Sequence, residues 1–290
     1  MKLSKDNIAA GIVLYFPEES DIQNIVSLSD KVGAIYLVDN SFSKLPNAVM
    51  DMLMGISFCS IQYFHFPENI GLCSGMNFIM KKALSDSYSW CLLINQDSVC
   101  GNNIVEIFIE DLFSAADERI AIIGPQYDYD RHKHKLISTS GVKDVTWLMM
   151  SGNMINLILN DILGGFKENL FVDGLDVDYC LRARKEGFRV IQSNTAILLH
   201  KPATTKYISI FGQKLFGYGW AEPLRYYYQF RNGFWIFQTY RHWGTLFFMF
   251  YKLLKIIFLF DRKKVYLQAV KDAYMDFRHH YFGKTVKTYG

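Results

Sequence analysis

Long uncharged runs are missing from this chain. In its most apolar stretch, Phe234 to Phe260, charge-free runs such as Trp243–Tyr251 and Ile256–Phe260 fall well short of the roughly 18 residues a membrane-spanning helix needs. The first apolar run is not expected to be a secretory leader. The apolar run Ile8 to Phe16 is preceded by Asp6, closed by Pro17-Glu18-Glu19 and lacks a small-residue cleavage site, so it reads as a strand. Cysteines are few: five, an odd number, with no CxxC pair. They sit mostly in apolar runs and read as reduced core residues of a reducing compartment. There are no internal repeats and no low-complexity linker. The segment after the first strand, Leu14-Tyr15-Phe16-Pro17, is not the glycine-rich phosphate loop that a nucleotidyltransferase would be expected to carry.

What is present is a large apolar fraction, 50% of 290 residues, enough for a sizeable core in one large domain or two. The net charge of +3 hides an asymmetry. Residues 201–290 hold 15 basic and 4 acidic groups, a net +11, while residues 1–200 hold 16 and 24, a net −8. The same last 90 residues carry 26 of the 46 aromatics. A basic, aromatic tail on an acidic body points to a polyanionic partner.

Taken in order, apolar runs and helical spacings alternate. Strands are expected at 8–16, 34–38, 57–64 and 90–94, with helices at 21–28, 46–54 and 74–84 between them. This βαβ series predicts a largely parallel sheet. Further on, a helix is expected at 103–115, a short strand at 120–124 closed by Pro125, and an exposed loop at 127–135. A strand at 145–154, helices at 155–163 and 176–186, and strands at 188–191 and 195–199 complete the series. The composition shifts near residue 201, which divides the chain into residues 1–200 and a helical region 201–290. The run Trp90 to Ile94 ends abruptly in Asn95-Gln96-Asp97-Ser98. In an open α/β sheet, ligands gather at such carboxyl ends. Asp97 there reads two ways: as a turn or helix-capping acid, or as a ligand for a hard cation that neutralises a phosphate.

Five segments in order resemble the inverting family 2 glycosyltransferases of the GT-A fold, in particular the bacterial rhamnosyltransferase-like subset. They are Val38-Asp39-Asn40-Ser41, Asn69-Ile70-Gly71 through Asn77, Leu93-Ile94-Asn95-Gln96-Asp97-Ser98, Phe171 through Phe188 with Asp173, Asp176, Asp178 and Arg182, and Tyr227-Tyr228-Gln229-Phe230-Arg231-Asn232. The resemblance covers roughly residues 8–240. It implies a GT-A, Rossmann-like α/β fold: a mostly parallel sheet flanked by helices, holding a nucleotide-sugar donor at its strand ends.

Site roles follow from the resemblance. Asp39 would accept from an N–H edge such as that of uracil or thymine, since an ionised carboxylate only accepts; it also reads as a turn acid. Tyr15, Asn69, Gly71, Asn77, Asn95, Gln96 and Lys201 join it on the nucleotide sugar, with Gly71 at positive φ and Asn69 equally readable as an Asx-turn. Asp97 and His200 would hold a divalent cation, Mg2+ or Mn2+. Asn95 stands where the family usually has a first Asp, which removes one charge from that site. Asp176 would be the general base of an inverting transfer. Leu175 stands where the family often has a leading acid. Gly152, Asp173 and Arg231 fall on the acceptor side, Asp173 also reading as a helix cap. Asp178 and Arg182, four apart on one helix, can pair.

The activity implied is transfer of rhamnose from dTDP-rhamnose onto a lipid-linked surface polysaccharide, with a UDP-hexose donor or a decayed, non-catalytic binding module as alternatives. The aromatic, basic C-terminal region suits amphipathic helices on an anionic membrane, or core helices, or a homodimer surface. It lacks the polar stacking platform of a nucleic-acid binder. The expected location is cytoplasmic, peripheral at the inner face of a bacterial plasma membrane.

Overall fold

A computed structural model describes residues 3–101, 103–129, 136, 139–200, 204–210 and 213–289. The chain divides into two compact units, residues 1–166 with 179–201, and residues 167–178 with 202–290.

In the first unit, β1 (Ile8–Leu14), β2 (Ala34–Asp39), β3 (Ser60–His65) and β4 (Trp90–Asn95) alternate with α1 (Glu19–Val26), α2 (Asn47–Met54) and α3 (Leu72–Ser85). The strands lie in the order β3-β2-β1-β4, all parallel. β2 is buried at every position and β1 at all but one, as expected of strands covered on both faces. Beyond β4 the sheet changes direction. It continues through β8 (Asn153–Asn156), antiparallel to both β4 and β6 (Ile120–Tyr129), and then β9 (Arg189–His200), parallel to β6. The short β5 (Val99–Cys100) and β7 (Val142–Asp144) each run antiparallel against β9. The GT-A-like, mostly parallel α/β sheet is therefore present, with nine strands.

Helix α3 comes close to β1 because two glycines let it. A Cβ on Gly11 would lie 2.5 Å from Ile79 Cγ2 and 2.9 Å from Leu93 Cδ2, and one on Gly75 would lie 2.9 Å from Val13 Cγ2. On β9 packs α4 (Ile104–Ala115), and α5 (Leu157–Leu163) lies against α3.

Three expectations change. β6 does not stop at Pro125 but runs to Tyr129, because the register shifts between Gly124 and Gln126 and the bulge accommodates a residue without an N–H. The segments 188–191 and 195–199 form one strand, β9, irregular at the same bulge. Of the strand expected at 145–154, only Asn153–Asn156 pairs in β8; the chain turns at Gly152, with φ +84°.

The second unit opens, after 167–178, with an antiparallel hairpin that the periodicity did not reveal, β10 (Thr204–Ile210) and β11 (Gln213–Trp220). Three helices follow: α7 (Pro223–Tyr240), α8 (Trp243–Leu259) and α9 (Lys263–Arg278). Helix α7 starts with proline in its first turn, where no N–H is needed. Its Tyr226 and Phe230 pack with Phe260 and Tyr266 in a core made largely of rings. No helix among the described residues is long and apolar enough to cross a membrane. α6 (Leu175–Lys185) belongs to both units, its first turn to the second and the remainder to the first.

Helix α8 is capped by His242, whose Nδ1 accepts from the Thr245 N–H at 3.3 Å. Partial burial lowers the pKa of this imidazole. A lowered folded pKa means the unfolded chain binds the proton more readily. The cap therefore contributes fully above the ordinary histidine range near pH 6.5, and its contribution is lost as pH falls through the folded value. Thermal melts from pH 8 to pH 5 should show a downward step in Tm for the native protein. That step should be absent in His242→Asn, which caps without titrating. Gly11→Val should cost about 1–3 kcal/mol of stability by overpacking, read as a lower urea midpoint.

Candidate active site

The strand ends of the parallel half are brought level by register. Leu14 pairs with Asp39 and Val13 with Asn95, so β1, β2 and β4 finish at one edge. Asp39 closes β2, fully buried, and accepts from the Tyr63 hydroxyl at 2.6 Å and the Ser41 N–H at 2.9 Å. Burial, and then the bond to Asp39, push the Tyr63 phenol well above its ordinary pKa, so it stays a donor. Ser41 in turn accepts from the N–H of Phe16, which sits at φ +47°. The loop after β1 is thereby fixed to the loop after β2.

Gln96, expected on the nucleotide sugar, braces the loop after β1. Its Oε1 accepts from the Tyr15 N–H at 2.8 Å, and its Nε2 donates to the Tyr15 carbonyl at 3.3 Å and to Asp21 at 2.9 Å. The Tyr15 ring is exposed, edge-on to Phe16. At the end of β4, the Asn95 N–H donates to Ser151 Oγ at 3.0 Å, and Ser151 donates to Ser98 at 2.8 Å. The Asn95 side chain finds no partner among the described residues. Asp97 is exposed at the tip of the turn, likewise without a partner among them. It caps no helix, since α4 is preceded by Asn103.

Two further expected site residues are packed in this unit. The Asn77 amide accepts from the Phe166 N–H at 2.7 Å and donates to the Phe166 carbonyl at 2.9 Å. Gly152 sits where a side chain would not fit. It is buried, and a Cβ there would lie 2.8 Å from Leu198 Cδ2. Asn69 forms the Asx-turn, accepting from the Gly71 N–H at 2.8 Å, and Gly71 heads α3 at φ +89°. His200 ends β9, its side chain outside the described set, and Lys201 lies outside the described residues.

The acidic segment belongs to the second unit, and its backbone is unusual. Phe171 (φ +65°), Asp173 (φ +61°) and Gly174 (φ +79°) all have positive φ just before α6. Side chains other than glycine adopt this conformation at a cost of roughly 1–3 kcal/mol each. Helix α7 supplies what holds them. The Asn232 amide donates to the carbonyls of Leu170, Val172 and Asp173 at 3.0, 2.8 and 2.8 Å. Arg225 donates twice to Asp173, both bonds 2.7 Å, the planar fork fitting the carboxylate. Asp173, expected on the acceptor side, is thus an ion-pair partner.

Arg231, also expected on the acceptor side, is a buried hub. It is 1% exposed, donating to the carbonyls of Gly283 and Leu170 and sandwiched by Tyr227, Tyr228 and Phe282. Asp178 accepts from the Tyr240 hydroxyl at 2.6 Å. The Arg182 guanidinium donates to the carbonyls of Leu163 and Gly165. Asp176 lies half-buried in the first turn of α6, where its charge is favoured by the helix dipole. Sequence reasoning missed Tyr63, Arg225, Asn232 and Tyr240. Asn232 carried a signal, as the last residue of the Tyr-Tyr-x-x-Arg-Asn element.

No protein-family model matches the chain. A dTDP-rhamnosyl transferase, RfbF, of Shigella flexneri is 26% identical over 251 residues, 79% of each chain. Among solved structures, S. aureus TarS 1–349 in complex with UDP-GlcNAc superimposes with a TM-score of 0.62 at 10% identity, covering 94% of this chain and 81% of that one. GalNAc-T7 with UDP, GalNAc and Mn2+ superimposes with a TM-score of 0.60 at 11% identity, covering 94% of this chain but only 57% of that one, less than two thirds of its length. The chain has the GT-A fold of these glycosyltransferases.

In this fold the metal question is a question of donors. Among the described residues, no three of His, Cys, Asp or Glu group as a metal's ligand set. Asp97 offers one exposed, hard oxygen donor at the strand ends. That fits a cation drawing its remaining ligands from diphosphate and water, not one held by protein alone. The α7 clamp makes a separate prediction. Asn232→Ala leaves buried carbonyls unpaired and releases the positive-φ segment. It should lower stability by about 1–3 kcal/mol in urea unfolding and lower sugar transfer more than donor binding.

Proposed function

We propose that this glycosyltransferase moves rhamnose from dTDP-rhamnose to a hydroxyl of a lipid-linked surface glycan, with inversion at the anomeric carbon. The observation that carries the reading is the pair of carboxylates at the ends of β2 and β4, the parallel strands on either side of β1: Asp39 buried and braced, Asp97 exposed. Each oxygen of Asp39 has one protein donor and keeps a lone pair for a base N–H, which suits thymine or uracil. The Asn95 amide has both a donor and an acceptor for ribose or sugar hydroxyls. Asp97 would hold Mg2+ or Mn2+; when bound, the cation supplies positive charge where the departing diphosphate gains negative charge. His200 and Lys201 keep their proposed roles on the metal and the diphosphate. The donor sugar is supported by the relative described as a dTDP-rhamnosyl transferase.

Asp176 is the proposed base. It takes the proton of the acceptor hydroxyl as that oxygen attacks the anomeric carbon from the face opposite the diphosphate, so a single displacement inverts the centre. Asp173, Arg225 and Asn232 position it by fixing the backbone ahead of α6. A second reading, a UDP-hexose donor with the same chemistry, is favoured by TarS and GalNAc-T7, whose structures carry UDP-GlcNAc and UDP.

Calorimetry with dTDP-rhamnose, UDP-glucose, UDP-galactose and GDP-mannose, each with Mg2+, Mn2+ or EDTA, separates the two. Tightest binding of dTDP-rhamnose, weakened by EDTA, is expected. Preference for a UDP-sugar would replace the donor, and binding indifferent to EDTA would remove the cation. Asp176→Asn should keep donor binding and lose roughly 10²–10⁴-fold in transfer rate. Equal rates for Asp176→Asn and the native protein would sink the base assignment. Asp97→Ala should lose donor affinity as well as rate.

A further inference from the structure

Helix α8 is oriented against the usual rule. Its lysines point inward: Lys255 Nζ donates to the Gly219 carbonyl and lies over the Tyr226 and Tyr251 rings, while Lys252 Nζ donates to Gln229 and lies over Tyr226. Both lysines are buried. Its rings point outward: Trp243 is 62% exposed, Phe247 70%, Phe250 58% and Phe258 72%, with Tyr251 also exposed. Together with Leu254 these residues fall at i, i+4, i+7, i+8, i+11 and i+15, one stripe along the helix. The stripe carries no charge. At 17 residues, α8 presents it over about 25 Å.

Both ends of the stripe are basic. Arg241 precedes the helix and Lys263 and Lys264 follow it, all three exposed. From Arg241 to Lys264 the chain has six basic residues and one acid, Asp261. An uncharged aromatic face with cations at its two ends matches the two layers of a membrane surface: rings at the boundary of the acyl chains, Lys and Arg at anionic headgroups. A second copy of the chain matches it poorly. A two-fold contact through α8, parallel or antiparallel, brings basic ends against basic ends. The acids of the region are also few. Of the four in residues 201–290, Asp276 binds Tyr227 and Lys287 and Asp272 binds Tyr289.

We propose that α8 is a docking helix for an anionic lipid bilayer, lying flat with Trp243, Phe247, Phe250 and Phe258 inserted. This surface is independent of the donor site, but it would bring the enzyme to the lipid-linked acceptor proposed above.

The test uses the full chain with vesicles of phosphatidylglycerol and phosphatidylethanolamine, or of phosphatidylcholine alone. Co-sedimentation is expected with the anionic vesicles only, weakening as salt is raised. Trp243 fluorescence should shift to the blue and be quenched by brominated lipid, both changes disappearing in Trp243→Phe. Phe247→Ser and Phe258→Ser should each weaken vesicle binding about tenfold, and Lys263→Glu with Lys264→Glu should abolish the preference for anionic lipid. Calorimetric donor binding without vesicles should be unchanged in all of them, which reports the nucleotide-sugar reading separately. Two outcomes overturn the proposal: vesicle binding that is absent or unaffected by Phe247→Ser and Phe258→Ser, or a dimer in sedimentation velocity that these substitutions dissociate.

Discussion

A guanidinium taken out of water must find acceptors for its N–H groups or the fold bears the full cost of its desolvation. Arg231 sets that condition for the second unit. Its described partners include no carboxylate. The carbonyls of Leu170 and Gly283, the Asn232 amide oxygen and the Tyr227 hydroxyl take its bonds, and three rings cover its faces. Those acceptors come from three distant stretches of chain: the approach to α6, helix α7 and the residues beyond α9. Satisfying one charge therefore ties them together. With Leu170 fixed, Asn232 can hold the segment in which Phe171, Asp173 and Gly174 have positive φ, and Arg225 can meet Asp173. The strained path into α6 is thus held by partners belonging to α7, which is how backbone strain persists where geometry matters. Asp176 follows directly on that path.

The first unit obeys a different constraint. Parallel strands buried on both faces must end in polar groups, and each such group is either consumed by a neighbouring loop or left for a ligand. Gln96 and Asp97 are adjacent and divide on this line. The Gln96 amide, with donors and an acceptor, spans Tyr15 and Asp21 and so locks the loop after β4 to β1 and α1. Asp97, an acceptor only, faces solvent. Asp39 does both: it organises the turn at Ser41 and takes the Tyr63 hydroxyl while keeping lone pairs in reserve. Counting hydrogen-bond capacity in this way separates braces from ligand-binding groups more sharply than strand-end position does.

The parallel half of the sheet was legible because β1, β2 and β4 are continuous apolar runs, β3 alternates, and each helix between has its own period. The other half was less so, for local reasons. Pro125 reads as a terminator, yet a bulge absorbs it. The Ser151-Gly152 bend turns chain that alternation alone would pair. The hairpin 204–220 has no two-residue turn signature at its tip. Among site residues, Asp39, Asn95 and Asp97 sit at the strand ends where the pattern put them. Asn77, Gln96, Gly152, Asp173 and Arg231 were recognised as special, and the fold shows the protein partners that the motif could not name. A motif marks that a side chain is constrained; it does not say whether a ligand or the protein's own backbone does the constraining. Arg225, Tyr63 and Tyr240 have no motif, and only the fold brings them to Asp173, Asp39 and Asp178.

Helix α8 shows the same ambiguity at the level of a whole face. Its sequence divides into lysines and rings, and ordinary amphipathic logic turns the rings inward. The second unit's core is already filled with rings from α7 and α9, and Tyr226 offers π-faces to cations. Lys252 and Lys255 can therefore be buried with their charge against rings, the Gln229 amide oxygen and the Gly219 carbonyl. Once the lysines occupy the inner face, Trp243, Phe247, Phe250 and Phe258 have only the outside. In water that arrangement leaves an apolar stripe exposed along the full helix, which soluble surfaces rarely tolerate. Against acyl chains the same stripe is favourable, and the cations at its ends meet headgroups instead of one another. The inward lysines and outward rings are thus one arrangement, and its stability depends on what lies against α8.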